Sequence, residues 1–149
     1  MRAVVQRVAE ASVSVDGTTV GSIQRGLLVF VGVATDDNEQ DAQALGDKVA
    51  NLRCFEDAEG LINLSVKDTG GSILAIAQFT LLADCRKGRR PSLIDAARPE
   101  KAIPLYEAVI RHLREHHIPV ATGEFGAHMD VALTNDGPVT LLLDTKKVF

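Results

Sequence analysis

Apolar and polar residues alternate along the opening segment of the chain. Arg2–Val8 (RAVVQRV) and Ala11–Val15 (ASVSV) read as strands, the second with Val13 and Val15 on one face and Ser12 and Ser14 on the other. Asp16-Gly17 marks a hairpin turn, because glycine takes positive φ at no steric cost, and Thr18–Ile23 is the return strand. Gly26–Ala34 (GLLVFVGVA) does not alternate. An unbroken β-rich apolar run predicts a central strand buried on both faces. The period then lengthens: Asp36, Asp37 and Asn38 offer N-caps, and Ala42, Leu45, Val49 and Leu52 recur at helical spacing. Gly46 weakens that helix by roughly 1 kcal/mol relative to alanine.

Asp57–Gly60 reads as a turn, Leu61–Val66 as a short strand, Gly70-Gly71 as a loop and Ser72–Leu82 as another apolar strand. A basic loop follows, Arg86–Pro91. Pro99 opens a helical turn, and Pro104 places the start of the main helix near itself, with Pro119 ending it beyond about His117. Leu105, Tyr106, Val109, Ile110 and Leu113 form its core face. Two last strands, around His128–Thr134 and Val139–Asp144, are joined by Asn135-Asp136-Gly137-Pro138. No repeat, low-complexity tract or linker appears. The pattern predicts one α+β domain over residues 1–149, mostly antiparallel sheet with two helices packed on it.

Composition narrows the class. With 149 residues, 46% of them hydrophobic and 24% charged, the chain suits a soluble globular protein with a sizeable core. There is no Trp, so the core is aliphatic. No apolar run approaches the ~20 residues of a membrane helix. The opening segment lacks the unbroken apolar stretch of a signal peptide, which predicts a cytoplasmic protein. Cys54 and Cys85, with no Cys-x-x-Cys spacing, are expected to be free thiols. A net charge of −4 argues against nucleic-acid binding over the whole surface and leaves room for a local basic patch.

Three segments are candidates for chemistry: Ala77-Gln78-Phe79-Thr80-Leu81, Arg86-Lys87-Gly88-Arg89-Arg90-Pro91, and Asn135-Asp136-Gly137-Pro138-Val139-Thr140. Each alone has an ordinary reading, as a strand end, a solvated basic loop and a hairpin turn. Together, in this order, they resemble the D-aminoacyl-tRNA deacylases. The resemblance runs through Val5-Gln6-Arg7-Val8, Ala11-Ser12-Val13, Gly26-Leu27-Leu28-Val29 and Asp57-Ala58-Glu59-Gly60. It continues through Gly70-Gly71-Ser72, Gly88-Arg89-Arg90-Pro91-Ser92, Thr122-Gly123 and the strand holding Met129. Of the family's two motifs, Asn-x-Gly-Pro-Val-Thr is complete at Asn135–Thr140. Ser-Gln-Phe-Thr departs at one position, where Ala77 replaces serine.

The resemblance implies a barrel-like α+β fold and a homodimeric hydrolase. Its substrate would be a D-amino acid, or glycine, esterified to the terminal adenosine of tRNA. Gly137-Pro138, with a cis bond, would act as a backbone filter against L side chains and would reach the partner's pocket. A wall discriminates enantiomers better than attraction, because both offer identical groups. Thr80 is the catalytic-motif residue, with a positioning role, since a threonine hydroxyl without a base is a weak nucleophile. Ala77, Gln78, Phe79, Phe125, Met129 and Asn135 complete the implied substrate site. Arg86, Lys87, Arg89 and Arg90 would hold acceptor-stem phosphates. No cofactor, metal, membrane or DNA partner is implied.

Three other readings compete. His112-Leu113-Arg114-Glu115-His116 fits the His-x-x-Glu-His zinc pattern, although histidines also suit a helix C-terminus. The basic loop alone would serve a non-enzymatic nucleic-acid-binding module, which leaves Gly137-Pro138 without a task. Cys85 beside that loop is a candidate nucleophile with no histidine partner at readable spacing.

Overall fold

The computed structural model describes residues 1–149. Strand β1 (Arg2–Val15) is its axis, and β2 (Thr18–Ile23) and β3 (Gly26–Gly32) follow. Helix α1 (Glu39–Asn51), the short pair β4 (Phe55–Glu56) and β5 (Ile62–Leu64), and the one-turn helix α2 (Val66–Thr69) come next. Then come β6 (Ser72–Ala77), helix α3 (Pro99–Glu115), β7 (Val120–Thr122) and the long β8 (Asp130–Asp144). One edge of β1 pairs antiparallel with β3 over Arg2–Val8 and with β2 over Ala11–Val15; its other edge pairs with β8. β3 continues into β6 and β6 into β7, both parallel. The far ends of this sheet curl together: a Cβ on Gly21 of β2 would lie 2.6 Å from the Thr122 carbonyl of β7. The result is an almost closed barrel with α1 and α3 on its outer face.

β1 is continuous where two strands were expected, because a bulge absorbs the break in alternation. Ala3 and Val5 face the helices, whereas Val8, Ala11 and Val13 fill the barrel, and the register with β8 shifts between Val8 and Glu10. One extra residue turns every later side chain to the opposite face. β3 is buried on both faces, as its unbroken apolar run predicts: Leu27, Val29 and Val31 under the helices, Leu28 inside the barrel.

Asn38 caps α1 by accepting from the Gln40 and Asp41 N–H groups, and Asp41 returns a bond to the cap. Gly46 is more than a weak helix former. Its missing Cβ would lie 2.8 Å from His112 Cβ, so it sets how closely α1 approaches α3.

Other elements also differ from the sequence reading. α3 begins at Pro99 and contains Pro104. Pro104 is tolerated because the acceptor it leaves without a helical donor is the carbonyl of exposed Glu100, in the first turn. The strand expected over Leu61–Val66 stops at Leu64, where Ser65 and Asp68 form a capping box for α2 and Gly70 ends it at φ 69°. β7 is a short parallel strand that carried no periodic signal. The two last strands and their hairpin are one strand: both halves of β8 pair with β1 in the same direction, so the chain does not reverse at Gly137.

Candidate active site

β6 ends at Ala77 rather than Leu82, because its neighbour β3 ends at Gly32. Gln78 makes one last ladder bond, donating to the Val31 carbonyl at 2.8 Å, and the chain coils into a 3-10 turn over Phe79–Leu82. Gly32 permits that turn: a Cβ there would meet Leu82 Cδ2 at 2.6 Å and the Gln78 carbonyl at 3.0 Å. Leu82 goes inward, while Phe79 is held 59% exposed. Gln78 Nε2 donates to Thr80 Oγ1 at 2.9 Å, and no ionisable side chain is bonded to that hydroxyl. Phe79 and Thr80 open the turn, so their N–H groups have no acceptor within it.

Beside this turn lies an apolar cavity of about 430 Å³. It brings together Ala77, Gln78, Phe79, Phe125 and Met129, five of the residues the sequence singled out. Its far wall is Leu93–Arg98, which runs along the end of β3 and bonds through Ala97 N–H to the Val33 carbonyl at 2.9 Å. Tyr106 closes the floor. Its hydroxyl donates to the buried Ala75 carbonyl at 2.8 Å, and its ring leans on Phe125 at a centroid distance of 6.1 Å. Burial pushes the Tyr106 phenol up to about 12, so it stays a neutral donor. The sequence reading assigned Tyr106 to the core only and left Arg98 unremarked. An Arg-Pro pair before a helix carries no signal of its own.

The basic loop flanks the cavity and is closed by paired bonds between Asp84 and Ser92. Its charges are not equivalent. Arg86 grips Asp84 by donating from Nε and Nη2, at 2.9 and 2.7 Å, and this pairing holds the Asp84 carboxyl at about 2. Lys87, Arg89 and Arg90 are exposed and unpaired.

Asn135, Gly137 and Pro138 lie elsewhere. Between the pairs Gln6–Thr140 and Val8–Asn135, β1 supplies Arg7 alone and β8 supplies Asp136–Val139. The segment is therefore a wide bulge in an outer strand. Asn135 braces it, accepting from Val139 N–H at 2.8 Å and donating to Val139 O and Thr140 Oγ1. Arg7 holds it from inside, donating to the Asp136 carbonyl at 2.9 Å and to the Cys54 carbonyl at 2.8 Å. The Gly137–Pro138 peptide is cis, and Gly137 has φ 148°. Arg7, opposite the bulge, pairs with Leu27, whereas the cavity starts at Val31. The bulge thus sits roughly 13 Å along the strands from the cavity of its own chain. Sequence reasoning missed Arg7 as a functional residue. Its signal is parity, since it shares a strand face with Ala3 and Val5.

Elsewhere the geometry separates what the sequence placed together. His112 Nδ1 lies 3.3 Å from Glu115, and His116 Nε2 lies 2.8 Å from Asp47 on α1, so the imidazoles face different carboxylates. No group of three His, Cys, Asp or Glu side chains converges. Cys85 is exposed; Cys54 is buried, and burial raises its thiol. No helix is long and apolar enough to cross a membrane.

The family model for D-Tyr-tRNA(Tyr) deacylase matches residues 4–144. The chain belongs to that family. This deacylase is 59% identical to the D-aminoacyl-tRNA deacylase of Thermotoga petrophila and 58% identical to that of Anaeromyxobacter dehalogenans, each over the full length of both chains. Its fold is similar to the solved structure of a c-Myc DNA unwinding element binding protein, with TM-score 0.92 and 39% identity over 97% of this chain and 99% of that one.

Proposed function

We propose that this deacylase hydrolyses the ester between a D-amino acid and the terminal adenosine of tRNA, releasing both, and so proofreads chirality in translation in the cytoplasm. The observation that carries this reading is the apolar cavity bounded by Gln78, Phe79, Phe125 and Met129; Thr80 does not line it but is bonded through its hydroxyl to Gln78, which does. An aminoacyl ester is already labile, so orientation and charge stabilisation suffice. Phe79 and Phe125 offer rings for the adenine to stack on, and such stacking contributes about 1–3 kcal/mol. The free N–H groups of Phe79 and Thr80 polarise the ester carbonyl as an oxyanion site. Gln78 orients Thr80, whose hydroxyl positions substrate or water, and the substrate's own 2′-hydroxyl assists the attack. The oxygen lost with Ala77 is dispensable, because the groups that polarise the carbonyl are main-chain.

Selectivity comes from the Gly137-Pro138 segment of a second copy, in a homodimer. Two observations favour an intermolecular arrangement: the bulge is too far from its own chain's cavity, and β8 pairs with β1 alone, leaving its outer edge free. Main-chain carbonyls there accept the substrate ammonium and occupy the space an L side chain needs, whereas a D side chain points away. Glycine meets no wall and is cleaved too. Paired assays on D-tyrosyl-, L-tyrosyl- and glycyl-tRNA with a chelator present test this reading. Rapid, negligible and measurable cleavage are expected in that order. Comparable rates on both tyrosyl enantiomers, or loss of activity with the chelator, would reject it.

The basic loop contributes affinity for phosphate without reading sequence. Arg86 contributes least, since Asp84 already neutralises it. Replacing Arg89 and Arg90 together by alanine is expected to raise KM for aminoacyl-tRNA roughly tenfold at low salt and to flatten its salt dependence, because released counterions scale with phosphates contacted. A KM that is independent of salt in the unaltered protein would remove the loop from tRNA binding.

A further inference from the structure

We propose that Arg98 is a positioning residue that grips the 5′-phosphate of the substrate's terminal nucleotide. This rests on the reading of the cavity as the seat of that nucleotide. Among the residues lining the cavity, Arg98 is the only one with a charge; the rest are apolar apart from Gln78 and the Tyr106 hydroxyl, which is already bonded. Its guanidinium is free to take a ligand. The side chain is 85% exposed, makes no capping bond to α3, and has one carboxylate neighbour, Glu100, at 3.6 Å, beyond hydrogen-bond distance. Lys101, the next cation along, is tied to the Thr35 carbonyl.

The placement matches the layout of a nucleotide. Val31 and Val33 direct their carbonyls to the same edge of the β3 strand line. Gln78 N–H takes the first and Ala97 N–H the second. The Gln78 rim and the Ala97–Arg98 rim are therefore two residues apart along one edge, on the order of 7 Å. A terminal adenosine carries its ester on the 2′/3′ side of the ribose and its phosphate on the 5′ side. With the ester at Gln78 and Thr80 and the base against the rings, the phosphate falls to the Arg98 rim. A guanidinium fork suits phosphate oxygens, and an exposed one at a cavity mouth, only loosely paired with Glu100, loses little hydration in binding them.

The test compares ligands that differ by one phosphate. Calorimetry with adenosine and with AMP measures binding without catalysis. The D-tyrosyl esters of the same two compounds measure kcat/KM. For the unaltered protein, the phosphate is expected to improve both readouts roughly tenfold, a usual gain from one charge-assisted contact. That ratio should fall to about one in Arg98→Ala, be partly retained in Arg98→Lys and invert in Arg98→Glu. The side chain is exposed, so these variants fold. A ratio of one in the unaltered protein, or an undiminished ratio in Arg98→Ala, overturns the assignment. Failure of the deacylase reading looks different: neither ester is cleaved, although AMP still binds better than adenosine.

Discussion

Replacing Gly137 by alanine is expected to lower kcat/KM on D-tyrosyl-tRNA roughly a hundredfold, the usual consequence of misplacing a catalytic group by about 1 Å. The cause is local. Gly137 has φ 148°, which L residues rarely adopt, and an added Cβ would lie 2.7 Å from both the amide nitrogen and Cγ2 of Val139. The methyl of Val139 can rotate away; the nitrogen cannot. It is bonded to Asn135 Oδ1 at 2.8 Å, so relieving the overlap also disturbs the brace that shapes the bulge. Forcing such a conformation costs on the order of 1–3 kcal/mol, all of it at a segment exposed to solvent. Thermal stability should therefore fall by no more than that strain, roughly 2–12 °C in Tm, while activity collapses and the preference for D over L narrows. Single-turnover deacylation of both enantiomers, beside a melting curve, measures this. D-tyrosyl-tRNA cleavage within threefold of the unaltered protein would mean that the bulge is not part of the site.

Replacing Arg7 by methionine is expected to do the reverse, with stability failing first. Arg7 is 6% exposed, and its guanidinium spans the carbonyls of Cys54 and Asp136, joining the β4 segment to the bulge of β8. Removing it leaves two acceptors without a donor, one of them buried. Each unmet acceptor costs about 1–3 kcal/mol, so a loss of about 3 kcal/mol is expected. In a chain of this length that lowers Tm by roughly 6–12 °C. Lysine should not restore it, because one ammonium cannot span two carbonyls held by a planar fork. The bulge also loses its inner support, so enantiomer preference should weaken in whatever fraction stays folded. A Tm within 2 °C of the unaltered protein would show that the fork is redundant.

The outer features of this molecule were readable because they are local. β3 is buried on both faces because seven consecutive residues leave no polar side to expose. α1 begins where Asn38 and Asp41 can satisfy its first amides. What failed had one cause: a rule applied without knowledge of the neighbour. Pro104 predicts a helix start only if the freed carbonyl is buried, and it is not. Phe79, Leu81 and Leu82 prolong the apolar run of the strand before them, but a strand needs a partner, and β3 has ended. Asn-Asp-Gly-Pro is turn chemistry, yet both flanks find the same partner, β1, so a turn becomes a bulge.

The candidate site divides along the same line. Gln78, Phe79, Phe125 and Met129 stand out through the family motifs and the whole-chain likeness, and the fold gathers them round one cavity. Tyr106 and Arg98 had no motif to mark them, and Arg7 lay in a stretch that carries the family likeness without being singled out for a role. The sequence by itself determined most of the strands, the two long helices, a core that is aliphatic apart from Phe55 and Tyr106, and the family to which the chain belongs, because those depend on residue types and spacings within reach of one another. Only the tertiary structure decided where β6 ends, which wall faces Phe79, and that the Gly137-Pro138 bulge stands away from its own chain's cavity. Those are distances between residues remote in sequence, and strand pairing and close packing fix them only when the whole sheet is in place.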